Sequence, residues 1–379
     1  MNELIYLDNA ATTFPKPPSV LNAMLSAAHK RGGNPGRGGH ALARAADSEM
    51  HMCRKALKEF FNVPREENIV FTQNATMALN TCINGLVKTG DKVITTDCEH
   101  NSVRRPLNRI NGIAVMRAKL YFDDFEKTAE EFRRLLEHGA DYLVVTHASN
   151  VCGKSIDIPR ICGLAHEYGA EVIVDASQSA GILDIDVAAS GIDYLCAPGH
   201  KGMYGPQGTG FILINGKRIP SPLMTGGTGS NSLSAEQPDY LPDALESGTL
   251  NVPAFAGLRA GIEFLNSTGR ERIHFYELSL IKRAYRELSR MKNVIMYTSE
   301  PTDADTAVLS FNIAGKQSSE AAELFDKAGI CLRAGYHCAP DAHKKLGSID
   351  FGSLRISVGV FNTAADIDRF LEAAQKISK

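Results

Sequence analysis

The sequence predicts an α/β protein: a large, mostly parallel sheet covered by helices on both faces, followed by a smaller α+β unit. Three observations carry that prediction. Short apolar runs alternate with helix-length stretches from Asn68 to Ile214, the pattern of strands buried on both faces and joined by crossover helices. The texture changes at Pro253, where two long helical stretches lead into shorter units. A chain of 379 residues has room for one large domain and a smaller one, at roughly 150 residues per domain.

The elements follow in order. After a loop rich in Asn and Gly (Gly32–Gly39), Leu42, Ala46, Met50, Cys53, Leu57 and Phe60 recur at helical spacing, which is one apolar stripe. Asn68–Phe71 reads as a strand, Thr76–Val87 as a helix and Lys92–Thr95 as a strand. Glu126–Glu137 is a helix, Tyr142–Thr146 a strand, and Pro159–Tyr168 a helix with proline at its first position. Glu171–Asp175, Ile192–Cys196 and Gly210–Ile214 are strands. Helices over Pro253–Asn266 and Glu271–Arg290 come next. They lead to strand Ala307–Ile313, helix Ser318–Ala328, strands Ile330–Arg333 and Leu354–Val358, and helix Thr363–Lys376. The expected division is a large unit over residues 16–252 and a smaller one built from residues 1–15 and 253–379.

Composition narrows the function. Hydrophobic residues are 44% and charged residues 22%, which excludes a disordered or coiled-coil chain. The net charge of −2 offers no basic excess for a phosphate backbone, so no nucleic-acid partner is expected. The longest uncharged stretches, Gly202–Gly216 and Ile219–Ala235, are too rich in Gly, Pro and Ser to span a bilayer, so no membrane partner is expected. The first residues, Met1-Asn2-Glu3-Leu4, lack the pattern of a secretory signal. The eight cysteines include no C-x-x-C pair and are too sparse for a disulfide scaffold. The expectation is a cytoplasmic protein with free thiols.

Three segments carry chemistry. Val172–Val174 is an apolar run ending in Asp175, at the sheet edge where ligands sit in open α/β folds. Taken alone, Asp175 reads as a cap or turn aspartate. Lys201 stands in the Gly-rich turn Pro198-Gly199-His200-Lys201-Gly202 after another strand, and alone reads as a surface lysine. Together they are what pyridoxal phosphate needs: an amine for a Schiff base and a carboxylate that keeps the pyridine nitrogen protonated. Phe71-Thr72-Gln73-Asn74-Ala75-Thr76 leads from a strand into a helix, whose first N–H groups and the Thr76 hydroxyl suit a phosphate. By itself that segment is an ordinary N-cap.

With these residues in place, the chain resembles the class V aminotransferase family of fold-type I pyridoxal-phosphate enzymes, and within it the group II (Suf-type) cysteine desulfurases. The likeness runs, in order, through Tyr6–Thr12, Glu99-His100-Asn101, His147–Val151, Val174–Gln178, Gly199-His200-Lys201, Glu246-Ser247-Gly248-Thr249, Arg333–Ala339 and Leu354-Arg355. It implies that Lys201 carries the cofactor and Asp175 pairs with its ring nitrogen. It also implies that Gln178 and Asn150 lie near the phenolic oxygen and that His100 stacks on the ring. Ala75, Thr76 and His200 would hold the phosphate, and Thr249 would reach the phosphate of the other subunit in a homodimer. Arg355 would clamp the substrate carboxylate, with Arg333, Asn9, Ala10 and Ala11 on the substrate side. Two departures stand out. Pro198 replaces a serine hydroxyl, for which Ser177 or backbone groups would substitute, and the turn Gly202-Met203-Tyr204-Gly205-Pro206 is one residue longer than usual.

Cys338, in Gly335-Tyr336-His337-Cys338-Ala339-Pro340, selects the branch. A desulfurase needs a thiolate to attack the substrate sulfur, leaving a persulfide on the enzyme and releasing alanine. His337, Arg333 and a helix start are expected to lower the thiol pKa. The implied substrate is L-cysteine and the implied partner a sulfur acceptor. Selenocysteine lyase acting on L-selenocysteine is the nearest alternative, then another class V aminotransferase or lyase, then a non-catalytic scaffold. Cys331, His337, Cys338 and His343 match no common zinc spacing, so no metal is expected. A buried structural role for Cys338 remains a rival. Gly226-Gly227-Thr228-Gly229 lacks the strand–helix context of a dinucleotide loop.

Overall fold

A computed structural model describes residues 4–36 and 38–379. The chain begins with strand β1 (Ile5–Tyr6), then helices α1 (Pro18–Lys30) and α2 (Ala41–Phe61). The alternating part follows: β2 (Ile69–Thr72), α3 (Ala75–Leu86), β3 (Lys92–Thr96), α4 (Asn101–Arg109), β4 (Ala114–Ala118), α5 (Phe125–Leu136), β5 (Tyr142–Thr146), α6 (Ile158–Glu167), β6 (Glu171–Asp175), β7 (Tyr194–Pro198) and β8 (Gly210–Ile214). From Asn215 to Asn251 there is neither helix nor strand. Then come α7 (Val252–Thr268), α8 (Arg270–Leu288), β9 (Val294–Met296), β10 (Val308–Ile313), α9 (Ser318–Lys327), β11 (Ile330–Cys331), β12 (Arg333–Gly335), α10 (Pro340–Leu346), β13 (Ser353–Ser357) and α11 (Ala364–Ile377).

Seven strands form the large sheet in the order β2-β8-β7-β6-β5-β3-β4, and only β8 runs antiparallel to its neighbours. Strands β5 to β8 are buried along their whole length, as expected where helices cover both faces. The connections reverse direction between β3 and β5. There the ladder pairs only Val93 and Ile94 with Tyr142 and Leu143, and the strand ends part beyond it. A crevice at the carboxyl ends of strands, where the order reverses, is the place such sheets bind ligands.

A four-stranded sheet, β12-β13-β10-β9, forms the smaller layer. β1 pairs with β11, so the N-terminal segment joins this part, and Ile5 and Leu7 pack in its core with Phe311, Phe325 and Phe370. The expected single strand over Ile330–Arg333 is two: β11 pairs with β1 and β12 with β13. Helix α7, which a boundary at residue 253 places in the smaller unit, packs on α1 and α2. Its Phe255, Leu258 and Ile262 are buried in the large core because the helix is apolar on most sides. Among the described residues no helix is long and apolar enough to cross a membrane.

Candidate active site

The crevice is built from strand ends. Asp175 is the last residue of β6, is buried, and accepts the Ser177 N–H (2.9 Å) on one carboxylate oxygen. Lys201 follows β7, and its amine makes no hydrogen bond or ion pair among the described residues. Burial lowers its pKa from 10.5 to about 8; Asp175 and Asp8 oppose that shift, and Arg355 and Arg333 add to it. Asp175, Lys201, His100, Asn150, Gln178, His200, Ala75 and Thr76 line one pocket. The structure thus brings together every residue expected around the cofactor within one chain. Thr249 is elsewhere, in a separate pocket with Phe71, Met77 and Leu245.

His100 is the N-cap of α4, and its Nδ1 accepts the Ser102 N–H at 3.0 Å. The imidazole proton therefore sits on Nε2. Burial lowers the His100 pKa, Lys201, Arg333 and Arg105 lower it further, and Asp175 opposes them, so the ring is neutral. The Ser102 hydroxyl lies 2.8 Å from His100 Nδ1 and 2.9 Å from the Thr76 hydroxyl, linking the ring to the start of α3. At that start Asn74 caps the Met77 N–H, and among the described residues the Ala75 and Thr76 N–H groups have no protein partner, as in any first helical turn. Beneath the crevice, Glu99 bridges the parted strands by accepting from the Thr96 hydroxyl (2.6 Å) and the Thr146 N–H (3.0 Å). Burial pushes Glu99 up to about 8, so it is neutral at pH 7.

His200 Nδ1 is buried without a partner, and burial pulls its pKa down to about 4. Its carbonyl accepts from the Thr13 N–H, the Thr12 hydroxyl and Lys16 Nζ (2.7 Å), which clamps the lysine turn to the N-terminal segment. Burial lowers Lys16 to about 7. Tyr204, at φ +56°, closes the turn by donating its N–H to the Lys201 carbonyl (2.9 Å), which accommodates the extra residue.

The substrate side differs from expectation. Arg355 is 1% exposed and donates to Asp8 (2.7 Å) and the Asn150 carbonyl (2.9 Å), leaving only Nε without a partner. Asn9 spends its amide on the Ser357 carbonyl, Asn362 and the Phe14 N–H, so its side chain braces the wall. Ala10 meets the site through its backbone, whose carbonyl accepts from Gln178 (3.0 Å). Arg333 is half-buried and makes no side-chain hydrogen bond or ion pair among the described residues.

Cys338 is the one exposed cysteine of eight; six are buried and Cys331 is half-buried. His337 and Cys338 both adopt positive φ (+46° and +59°), a conformation uncommon for non-glycine residues. Two anchors hold them: the Asn101 N–H donates to the Cys338 carbonyl (2.8 Å), and the Asn150 amide donates to the His337 carbonyl (2.6 Å). The thiol is thus tied to the residue after His100 and to a residue of the pocket wall. The imidazole of His337 does not serve it as a cation. It is buried against Ser353 (3.1 Å), and burial with Arg355 nearby holds its pKa well below the usual value. His337 and His343 bond separate serines, and no metal-binding cluster occurs among the described residues.

Residues 5–370 match the Aminotransferase class-V family. The chain belongs to that family. Curated relatives include a probable cysteine desulfurase from Methanothermobacter thermautotrophicus, 33% identical over all of this chain and 96% of the relative, and another from Synechocystis, 34% identical over 98% of this chain and 90% of the relative. Among solved structures, the apo cysteine desulfurase of Thermococcus onnurineus has a TM-score of 0.91 at 31% identity, covering 100% of this chain and 95% of that one. An Escherichia coli cysteine desulfurase in its S-sulfonic acid form has a TM-score of 0.87 at 27% identity, covering 99% and 94%.

Class V aminotransferase enzymes of the desulfurase kind use pyridoxal phosphate, and the pocket fits that group. The uncommitted Lys201 amine, the second oxygen of Asp175, the unpartnered His200 Nδ1 and the open N–H groups of Ala75 and Thr76 are the complement of an aldehyde, a pyridinium and a phosphate. Ser102 and Ser177 line the same pocket beside Pro198, supplying hydroxyls where proline has none. The roles of Ser102, Asp8 and Lys16 escaped the sequence. Asp8 lies in the Tyr6–Thr12 segment but carries no mark of its pairing with Arg355, and Lys16 shows only its flanking prolines.

Proposed function

We propose that the chain is a cysteine desulfurase that converts L-cysteine to L-alanine and takes the sulfur onto Cys338 as a persulfide. The observation that carries this reading is the exposed thiol, held in a strained turn whose carbonyls are anchored to Asn101 and Asn150. A structural cysteine needs neither exposure nor such anchoring.

Lys201, Asp175, His100, Gln178, Asn150, His200, Ala75 and Thr76 would hold the cofactor. When bound, pyridoxal phosphate supplies an electron sink for the substrate's Cα electrons. The Lys201 amine takes the Cα proton; its lowered pKa leaves a useful unprotonated fraction near neutral pH. Asp175 would stabilise a positive charge at the ring nitrogen of that group. The neutral His100, fixed by Ser102, presents Nε2–H to the pocket. Arg333 is the free guanidinium for the substrate carboxylate, with Arg355 behind it as a braced second cation. The Cys338 thiolate attacks the substrate sulfur: an S–S bond forms, the C–S bond breaks with its electron pair left on carbon, Cβ takes a proton, and Lys201 returns a proton to Cα as alanine leaves. An acceptor thiol then removes the outer sulfur.

A homodimer is part of this reading. Its support is the irregular stretch from Asn215 to Asn251, which exposes Leu223, Met224, Leu233 and Tyr240, and the place of Thr249 away from its own chain's cofactor pocket. Eight free thiols support a reducing, cytoplasmic setting. The test is alanine and sulfide release by the holoenzyme from L-cysteine and L-selenocysteine side by side. Release from L-cysteine supports the reading. Release from L-selenocysteine alone, or amino-group exchange with a keto acid, overturns it.

A further inference from the structure

Behind Lys201 lie two further cavities. A cavity of about 30 Å3 is lined by Lys201, Gln178, Tyr204, Glu277 and His274. A larger cavity of about 530 Å3 includes His147, Ile158, Arg270 and Phe275 in its walls. Ile182 and His274 border both, and Lys201 and Gln178 border both the small cavity and the cofactor pocket. The three spaces therefore stand in series. No residue of the segment 333–341 that carries Cys338 borders either rear cavity.

The small cavity has room for about two water molecules, and its walls are polar enough to keep them. Tyr204 donates its hydroxyl to Glu277 (3.0 Å), both side chains being buried, and His274 Nδ1 is buried without a partner. Ile182 packs close to Gly202, where an added Cβ would come within 2.8 Å of its side chain, so the wall depends on glycine beside the lysine. We propose that this rear cavity is a proton-exchange passage, in which bound water carries protons between the Lys201 amine and the outer cavity, with Ile182 and His274 as its gate. The proposal rests on the role given to Lys201 above. Burial brings Lys201 down to about 8 and Glu277 up to about 8, so a proton passes between them through water at little cost. In each exchange one proton leaves the ammonium for a cavity water and one returns from it. The charge on the amine is unchanged and nothing is oxidised. The hydrogen taken from the substrate is thereby replaced by one from solvent, while sulfur leaves on the Cys338 side.

The test supplies the holoenzyme in ordinary water with L-cysteine deuterated at Cα, and measures deuterium at Cα of the alanine formed. The wild type retains little. Ile182→Phe, which fills the shared wall from a half-buried position, raises retention several-fold, and the milder Ile182→Met raises it less. A second arm follows solvent exchange of the Cα hydrogen of L-alanine by NMR. It needs Lys201 and cofactor but no sulfur chemistry, and both variants slow it. A third is a crystal structure of the holoenzyme, with ordered water expected between Lys201, Glu277 and His274. Unchanged alanine exchange in both folded variants, or a dry cavity, overturns the passage. No turnover of L-cysteine combined with slowed alanine exchange overturns the desulfurase reading and supports the passage.

Discussion

Replacing the lysine of the site should make the cofactor-free protein more stable. Lys201 enters the folded chain with its amine lowered from 10.5 to about 8, chiefly by burial, with Arg355 and Arg333 adding to the shift against Asp175 and Asp8. Between those two values the folded chain holds fewer protons than the unfolded one, so stability rises with pH across that window. The penalty is complete below about pH 8 and fades as pH climbs toward 10.5. At about 1.4 kcal/mol per pKa unit, it amounts to about 3 kcal/mol at pH 7. Lys201→Met keeps an unbranched chain of similar reach and removes the charge. Urea denaturation of the two cofactor-free proteins at pH 7 should therefore show the variant more stable by about 3 kcal/mol, with the gap shrinking toward pH 10.5. A variant less stable than the wild type at pH 7, or a gap that does not change with pH, would refute the claim that the half-buried Lys201 carries a desolvated and electrostatically opposed amine.

Other expectations follow from the same geometry. Arg355→Gln breaks the ion pair between the buried Arg355 and the half-buried Asp8, so urea denaturation should show a loss of about 3 kcal/mol. Arg333→Gln removes a cation that makes no such pair. It should leave the urea midpoint nearly unchanged while raising KM for L-cysteine with little change in kcat; a large stability loss would contradict the free guanidinium. Ser102→Ala removes the hydroxyl between His100 and Thr76, a bond worth about 1 kcal/mol. Cofactor titration should show several-fold weaker binding, and unchanged binding would remove Ser102 from the site.

Periodicity and strand-end chemistry made much of this architecture legible. Asp175 and Lys201 stand out because each ends an apolar run, and buried strands leave few other places for polar side chains. Helix α4 was not legible: Asn101–Arg109 contains Pro106 and begins at a histidine cap, both poor helix signals. Strand β4 was missed because its first four residues are not buried and include Arg117, so it lacks the apolar run of an inner strand. The division at β11 and β12 depends on two different partners, which a run from Ile330 to Arg333 does not encode. At the site, sequence supplied the residue types but not their hydrogen-bond partners. His337 beside Cys338 suggested a cation for the thiol, yet the positive-φ turn sends the imidazole to Ser353, where burial keeps it neutral. Asn9 and Arg355 were expected on the substrate side; contacts to Ser357 and Asp8, which the sequence does not show, take up part of their hydrogen bonding and leave Arg355 Nε open.

The central claim is that Cys338 takes the sulfur. The most direct measurement mixes the holoenzyme and its Cys338→Ala variant with L-cysteine, without an acceptor thiol, and follows both alanine and intact-protein mass. The wild type should form alanine and gain the mass of one sulfur atom, mapped by peptide analysis to Cys338. The variant should bind L-cysteine, with the change in visible absorbance that marks occupancy, but form almost no alanine and gain no sulfur. Alanine formation by the variant at the wild-type rate, or sulfur mapped to another cysteine, would contradict the account.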